Sequence, residues 1–138
     1  MYATKQNLIN KYDEKTLIRF SSKSANGTMD DDVIAAALDE ASAIIDGYIS
    51  KQYDLPLSNV PVLLVGYCID ISIHNLATGK GAITDDITRR YDNAIKFLKD
   101  VARGDLGLGL PKKQAEAASS SKILFTQASP RLFERGTF

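Results

Sequence analysis

The 138-residue chain has no tryptophan, one cysteine, one histidine and no excess of charge, since 17 Lys and Arg balance 17 Asp and Glu. Each shortage removes a class of function. Cys68 has no partner for an intrachain disulfide, and its apolar neighbours mark it as a small buried hydrophobe rather than a sign of an oxidising compartment. As a nucleophile it would need a base, and His74, six positions on, points elsewhere on a helix. Without a basic block there is no electrostatic footprint for a phosphate backbone. The longest apolar run, 62–77, is broken by Asp70 and His74 and falls short of the roughly 20 residues of a membrane span. The first residues, MYATKQNLINKYDEK, lack the apolar core of a signal peptide. These absences describe one domain with a real core, made in a cytoplasm, with no catalytic constellation and no cofactor.

What is present is helical periodicity. From about 30 to 51, Ile34, Ala37, Leu38, Ala41, Ile45, Tyr48 and Ile49 recur at i, i+3, i+4 spacing. Asp30, Asp31 and Asp32 fall in the first turn, where carboxylates cap free N–H groups and complement the helix dipole. With Asn26 they lack the alternating ligand spacing of an EF-hand loop, so capping is the reading for the acidic run. A second helix over 61–78 is apolar on nearly every side, as expected of a central helix. Gly79 and Gly81 end it, and Thr84 opens a third helix to 103 with Ile87, Tyr91, Ala94, Ile95, Leu98, Val101 and Ala102 on one stripe. Thr4 can cap a short helix over 5–12, and 14–20 reads as one or two further turns. The fold class is mainly α: a small bundle of three main helices plus one or two short N-terminal ones, packed around Ile45, Leu64, Ile71, Tyr91 and Leu98.

Between the first two main helices stands QYDLPLSNVP, with Pro56 and Pro61 five positions apart. Proline blocks helix continuation and pushes the residue before it toward extended geometry, so 54–59 should cross between helices as a bent connector. Pro61 fits the first turn of the next helix, with Ser58 or Asn59 as its cap. Leu55, Leu57 and Val60 are expected to tuck inward. Tyr53, Leu55, Pro56, Leu57 and Pro61 thus form a structural joint that fixes the angle between two helices. A helix-turn-helix is the rival reading of this pair. That motif wants a turn of about 3 to 4 residues and a basic second helix, and 61–78 contains no Lys or Arg.

After Gly104 the character changes. DLGLGLPKKQAEAASSSK is rich in Gly, Ala and Ser without a periodic apolar face, which divides the chain into a helical domain over 1–104 and a linker with a tail over 105–138. A short strand or hairpin has room at 123–126. The end, SPRLFERGTF, sets Leu132, Phe133 and Phe138 among Arg131 and Arg135, a cluster suited to docking on another surface.

Other motifs are weaker. Asp70 and His74 are four apart and can meet on one helical face, which reads as a polar couple at the edge of a core, with no nucleophile beside it. GKGAIT at 79–84 lacks the first glycine and the preceding strand of a phosphate loop. Arg103-Gly104-Asp105 follows a helix end and is a chance tripeptide.

The opening MYAT, Leu8-Ile9, Leu17-Ile18, IIDGYISKQYDLPLSNVP, Cys68 with Asp70-Ile71, RRYDNAIKFLKDVARG and the terminal Arg131 with Phe133 together resemble the Mu-like phage neck protein family over nearly the whole chain. The joint is the most specific part of the match. The chain departs from the family pattern at 72–74, and 112–121 matches nothing in particular. The resemblance implies a structural virion protein, a head-to-tail connector or adaptor that completes the head at the portal vertex of a tailed phage or prophage. It implies a ring of roughly twelve copies, assembled in the host bacterial cytoplasm and resident in the virion neck, with isolated copies often monomeric. The portal protein and a downstream neck or tail-completion protein are the implied partners. Membrane and specific nucleic acid are not, although packaged DNA would pass through the ring. The alternative is a small helical nucleic-acid-binding or other protein-interaction module without enzymatic activity.

Overall fold

The computed structural model describes residues 1–22 and 27–113. Asn26, the 123–126 strand and the tail residues Arg131, Leu132, Phe133, Arg135 and Phe138 lie outside the described residues.

Five helices make up the described residues: α1 (Lys5–Tyr12), α2 (Glu14–Ser21), α3 (Asp31–Ile49), α4 (Val62–Gly79) and α5 (Asp85–Arg103). The chain is mainly α, as its periodicity predicts. Local chemistry sets most helix starts. Thr4 and Asn7 form a reciprocal capping box at α1, Thr4 Oγ1 accepting from the Asn7 N–H at 3.3 Å and Asn7 Oδ1 from the Thr4 N–H at 2.8 Å. Asp13, at a positive φ of 64°, ends α1 and caps α2 by accepting from the Thr16 N–H at 2.9 Å. Asp30 accepts from the N–H groups of Asp32 and Val33 at 3.0 and 3.2 Å, which explains the acidic run, and Thr84 caps α5 through Ile87. Gly104, at φ 86°, closes α5 in the left-handed conformation that a side chain would strain.

α4 departs from the expected capping. Its N-cap is Pro61 itself, in extended conformation and without a side-chain cap, so neither Ser58 nor Asn59 serves and Pro61 stands one position outside the helix. The reason is steric and local: ψ of 144° at Pro61 carries the extended path of the joint up to the last position before Val62.

Packing pairs fix the topology. Ser42 meets Cys68 and Ala37 meets Ser72, so α3 and α4 run antiparallel. His74 meets Tyr91 and Tyr67 meets Phe97, which sets α5 antiparallel to α4. α4 packs most extensively on both neighbours, with α1 and α2 packed on one another, α1 against α3 and α2 against α3 and α4. Leu64, Cys68, Ile71, Ile73 and Ala77 of α4 are wholly buried, together with Ile45, Ile49, Leu98 and Val101. By length and composition α4 could also cross a membrane, yet half of it is buried among its own helices, as befits a core helix. Tyr91 is only partly buried, against the core rather than in it.

The buried serines of these helices find partners. Ser72 Oγ donates to the Cys68 carbonyl at 2.7 Å, Ser21 Oγ donates to the Leu17 carbonyl at 2.7 Å, and Ser42 Oγ accepts from the Tyr2 N–H at 3.2 Å.

Candidate functional site

The joint between α3 and α4 is built around Tyr53. Its ring is 1 % exposed, and its hydroxyl accepts from the Leu108 N–H at 2.8 Å. Gln52 extends the same tie: its side-chain amide donates to the Ala102 carbonyl at 3.1 Å, satisfying an orphan acceptor at the end of α5, while its own carbonyl accepts from the Lys113 N–H at 2.6 Å. Lys113 Nζ also reaches the Ser50 carbonyl at 3.4 Å. Residues 105–113, the first part of the stretch that composition marks as a linker, therefore lie along the joint, with Leu108 and Leu110 packed against the core.

The leucines of the joint divide. Leu57 is partly buried, but Leu55 and Val60 point outward, contrary to the expected inward packing. Tyr53 already fills the space beneath the joint, which leaves Leu55 on its outer side. The next residues, Val62 and Leu63, are 86 % and 50 % exposed at the first turn of α4. Leu55, Val60, Val62 and Leu63 of the joint and of the start of α4 are thus four of the seven exposed large hydrophobics among the described residues. A cleft of about 370 Å³ opens there between Met1, Leu55, Pro56, Leu57 and Val60, with Tyr2 and Asp46 at its side. Tyr2 donates its hydroxyl to the Asp46 carboxylate.

The second polar constellation lies elsewhere. Asp70, 8 % exposed on α4, accepts from Lys11 Nζ at 2.8 Å and from the Tyr12 hydroxyl at 3.5 Å. Arg90 of α5 donates to the Tyr12 hydroxyl at 3.4 Å and pairs with Asp86 at 3.0 Å. The expected couple of Asp70 with His74 does not form. Asp70 turns to α1, whereas His74 stacks on Tyr91 with ring centroids 3.8 Å apart and Nδ1 buried without a hydrogen-bond partner. Two residues four apart on a helix share a face only broadly, and each here meets a different neighbouring helix. Cys68 contacts Ser42 Oγ at 3.7 Å on the α3 side, away from that stack, and has no base. These contacts tie helices to one another and assemble no reacting centre.

The same burial sets an alkaline limit to stability. Desolvation pushes the Cys68 thiol up, pushes Tyr12 up with help from the Asp70 charge against the opposing Arg90, and pushes Tyr2 up with help from its bond to Asp46. The unfolded chain releases these protons near the ordinary values of about 8.5 and 10, while the folded protein keeps them. Their contribution is thus fully present below those values and is lost as pH rises through the raised ones. Denaturant titrations are expected to show stability falling from about pH 8 to about pH 11, with a shallower fall in Tyr2→Phe and Tyr12→Phe. A flat profile for the unmodified chain would contradict the burial.

The comparisons with known proteins bear on the whole of this architecture. The profile of the family described as Bacteriophage Mu, Gp36 matches residues 2–126, which include all five helices and the joint. The chain belongs to the phage Mu Gp36 family. Gene product J of Escherichia phage Mu is 33 % identical over 135 residues, spanning 97 % of this chain and 94 % of the relative. The Mu-like prophage FluMu protein gp36 of Haemophilus influenzae is 31 % identical over 128 residues, spanning 93 % of this chain and 89 % of the relative. The resemblance read from the joint is thereby placed in a family of phage Mu and Mu-like prophage gene products. The Gp36 match stops at residue 126, short of the terminal cluster from Arg131 to Phe138. Residues that spacing missed as structural partners are Lys11, Tyr12, Gln52 and Leu108; each acts across a long sequence separation that no local pattern signals.

Proposed function

We propose that the chain is a structural subunit of the phage neck, a head-to-tail connector that completes the head at the portal vertex. The observation that carries this reading is the apolar end of the bundle: Met1, Leu55, Val60, Val62 and Leu63 stay exposed on a member of a phage Mu family whose joint is otherwise tightly anchored. Apolar surface gathered on one end of a folded unit marks a place of contact with another protein. In this reading the subunits form a ring of roughly twelve copies on the portal. A downstream neck or tail-completion protein binds the other side, and packaged DNA passes through without sequence recognition. The protein is made in the host cytoplasm, where isolated copies are monomers, and ends in the virion neck. No catalytic step, cofactor or membrane belongs to the proposal.

Deleting the gene from an inducible Mu-like prophage tests it. Filled heads and free tails that fail to join are the expected products, restored to infectious particles by supplying the chain in trans. Joined, infectious particles in the deletion strain would overturn the connector role.

A further inference from the structure

We propose that the first turn of α4 of one copy seats in the groove between α3 and α5 of a second copy, joining the chains head to tail. The inference deepens the connector reading and rests on it, since it takes the chain to be a self-associating subunit.

The groove is apolar and concave. Ile44 and Tyr48 of α3 face Tyr91 and Ile95 of α5 across a volume of about 470 Å³, with Ala43 and Gly47 exposed along the α3 side. The four larger side chains pack on the core yet stay partly exposed, so they offer apolar surface to whatever enters. The volume falls in the range of sites that hold a compact apolar group. No residue of α4 lines the groove, which opens on the side of the α3–α5 pair turned away from α4. Lys51 stands exposed at its end.

The counterpart is convex and lies on the other side of the bundle. Val62 stands two positions before the wholly buried Leu64, about 160° around α4 from the core, and Leu63 about 100° from it. Gly66, two positions after Leu64, falls on the same outward side as Val62. Asp54 is exposed in the joint that leads to this turn, opposite in charge to Lys51 of the groove. The groove of the same molecule is out of reach of its own Val62, whereas a second copy set beside the first brings the two surfaces together.

Two glycines single out the same surfaces. Gly47 in α3 and Gly66 in α4 lie inside helices, where glycine costs stability relative to alanine. Neither has left-handed backbone, and a Cβ at either position would meet nothing within 4 Å. No turn and no packing within the chain therefore calls for glycine there. One lines the groove, and the other is one helical turn from Val62 and Leu63. Bare backbone at both places lets a second chain approach closely, which fits the two surfaces to one contact. An unlike partner would occupy one surface and leave the other, with its open glycine, without a counterpart. A contact between two different surfaces of one chain repeats from copy to copy and closes into a ring where the rotation permits.

Crosslinking of the full-length protein tests the assignment, with Cys68, wholly buried, left in place. Val62→Cys and Ala43→Cys, both at exposed positions, are prepared separately, mixed at high concentration and treated with a short bifunctional maleimide. The expected product is a heterodimer linked between positions 62 and 43, formed at least roughly tenfold faster than with a control cysteine at the exposed Lys15 of α2. The double variant should give a ladder of linked multimers. Equal rates at positions 43 and 15 would overturn the proposal, as would an internally bridged monomer from the double variant. A 43–43 dimer formed faster than the 62–43 one would replace it with a two-fold contact. Gly47→Gln fills the groove from a position with open space, so the melting temperature of the isolated chain should not fall while the 62–43 linkage slows at least roughly tenfold. An unchanged linkage rate in that variant would overturn the proposal too. If the 62–43 link forms but the prophage lacking the gene still makes joined particles, the connector role fails while the surface assignment stands.

Discussion

Tyr53→Ala is expected to lower the stability of the fold by about 3 to 5 kcal/mol, the usual range for emptying a large aromatic site in a core. Tyr53 is among the largest wholly buried side chains, and it sits in a loop rather than a helix. Its ring is the floor on which the joint is laid, and its hydroxyl holds Leu108 and so the chain beyond α5. Removing it opens a cavity and releases 105–113 together. At roughly 3 to 5 °C per kcal/mol for a chain of this size, the melting temperature should fall by about 10 to 20 °C. Tyr53→Phe separates the two contributions. It keeps the ring and leaves the Leu108 N–H without its acceptor, at a cost of about 1 kcal/mol. Thermal unfolding of both variants checks the ordering, and an alanine variant no less stable than the phenylalanine one would show that the ring does not support the joint.

That loop illustrates what the sequence makes legible and what it hides. The stripes of α3 and α5 could be read because a period of 3.6 residues repeats over 19 residues in each, and α4 because its 18 residues are apolar on nearly every side. Thr4, Asp30 and Thr84 could be read as caps because the interaction is local, reaching two or three residues ahead. The prolines announced a bend at 54–59, but they constrain backbone, not the direction of each side chain. Whether Leu55 or Tyr53 fills the space beneath depends on the end of α5 and on Leu108, some 50 residues later. The alternation of leucine and glycine in DLGLGL was the available signal that this stretch lies against something, and its glycine content masked it. His74 shows the same limit: its partner Tyr91 was visible as a stripe residue, but not as the ring on which His74 stacks.

The connection between fold and assembly runs through the same economy of contacts. Tyr53, Gln52 and Lys113 hold the joint in one conformation, so Val62 and Leu63 are exposed on a surface that does not have to order itself when a partner arrives. A preformed apolar surface loses less conformational entropy on docking than a mobile one, which would favour assembly in the ring of subunits proposed above.

Lys11→Met is expected to cost about 2 to 3 kcal/mol, more than its position on a short terminal helix would suggest. The substitution keeps the length and packing of the stem and removes only the ammonium group. Asp70 then remains 8 % exposed on the central helix with the Tyr12 hydroxyl, at 3.5 Å, as its remaining bond from α1. A carboxylate held in a low-dielectric interior without its cation is the main source of the loss. Because the Lys11 side chain is one third exposed, the pair itself contributes less than a fully buried one, and the full range seen for buried pairs is not reached. The converse change, Asp70→Asn, keeps the shape and a hydrogen-bond acceptor for Tyr12, and leaves Lys11 free to turn toward water, so about 1 kcal/mol is expected. Combining Lys11→Met with Asp70→Leu removes both charges and should recover most of the stability lost in Lys11→Met alone, provided Tyr12 keeps Arg90 as its donor at 3.4 Å. Denaturant midpoints for the single and double variants supply the cycle. A double variant that falls by the sum of its singles would mean that Lys11 and Asp70 act independently and that α1 is held to α4 by Leu8 and its apolar neighbours alone.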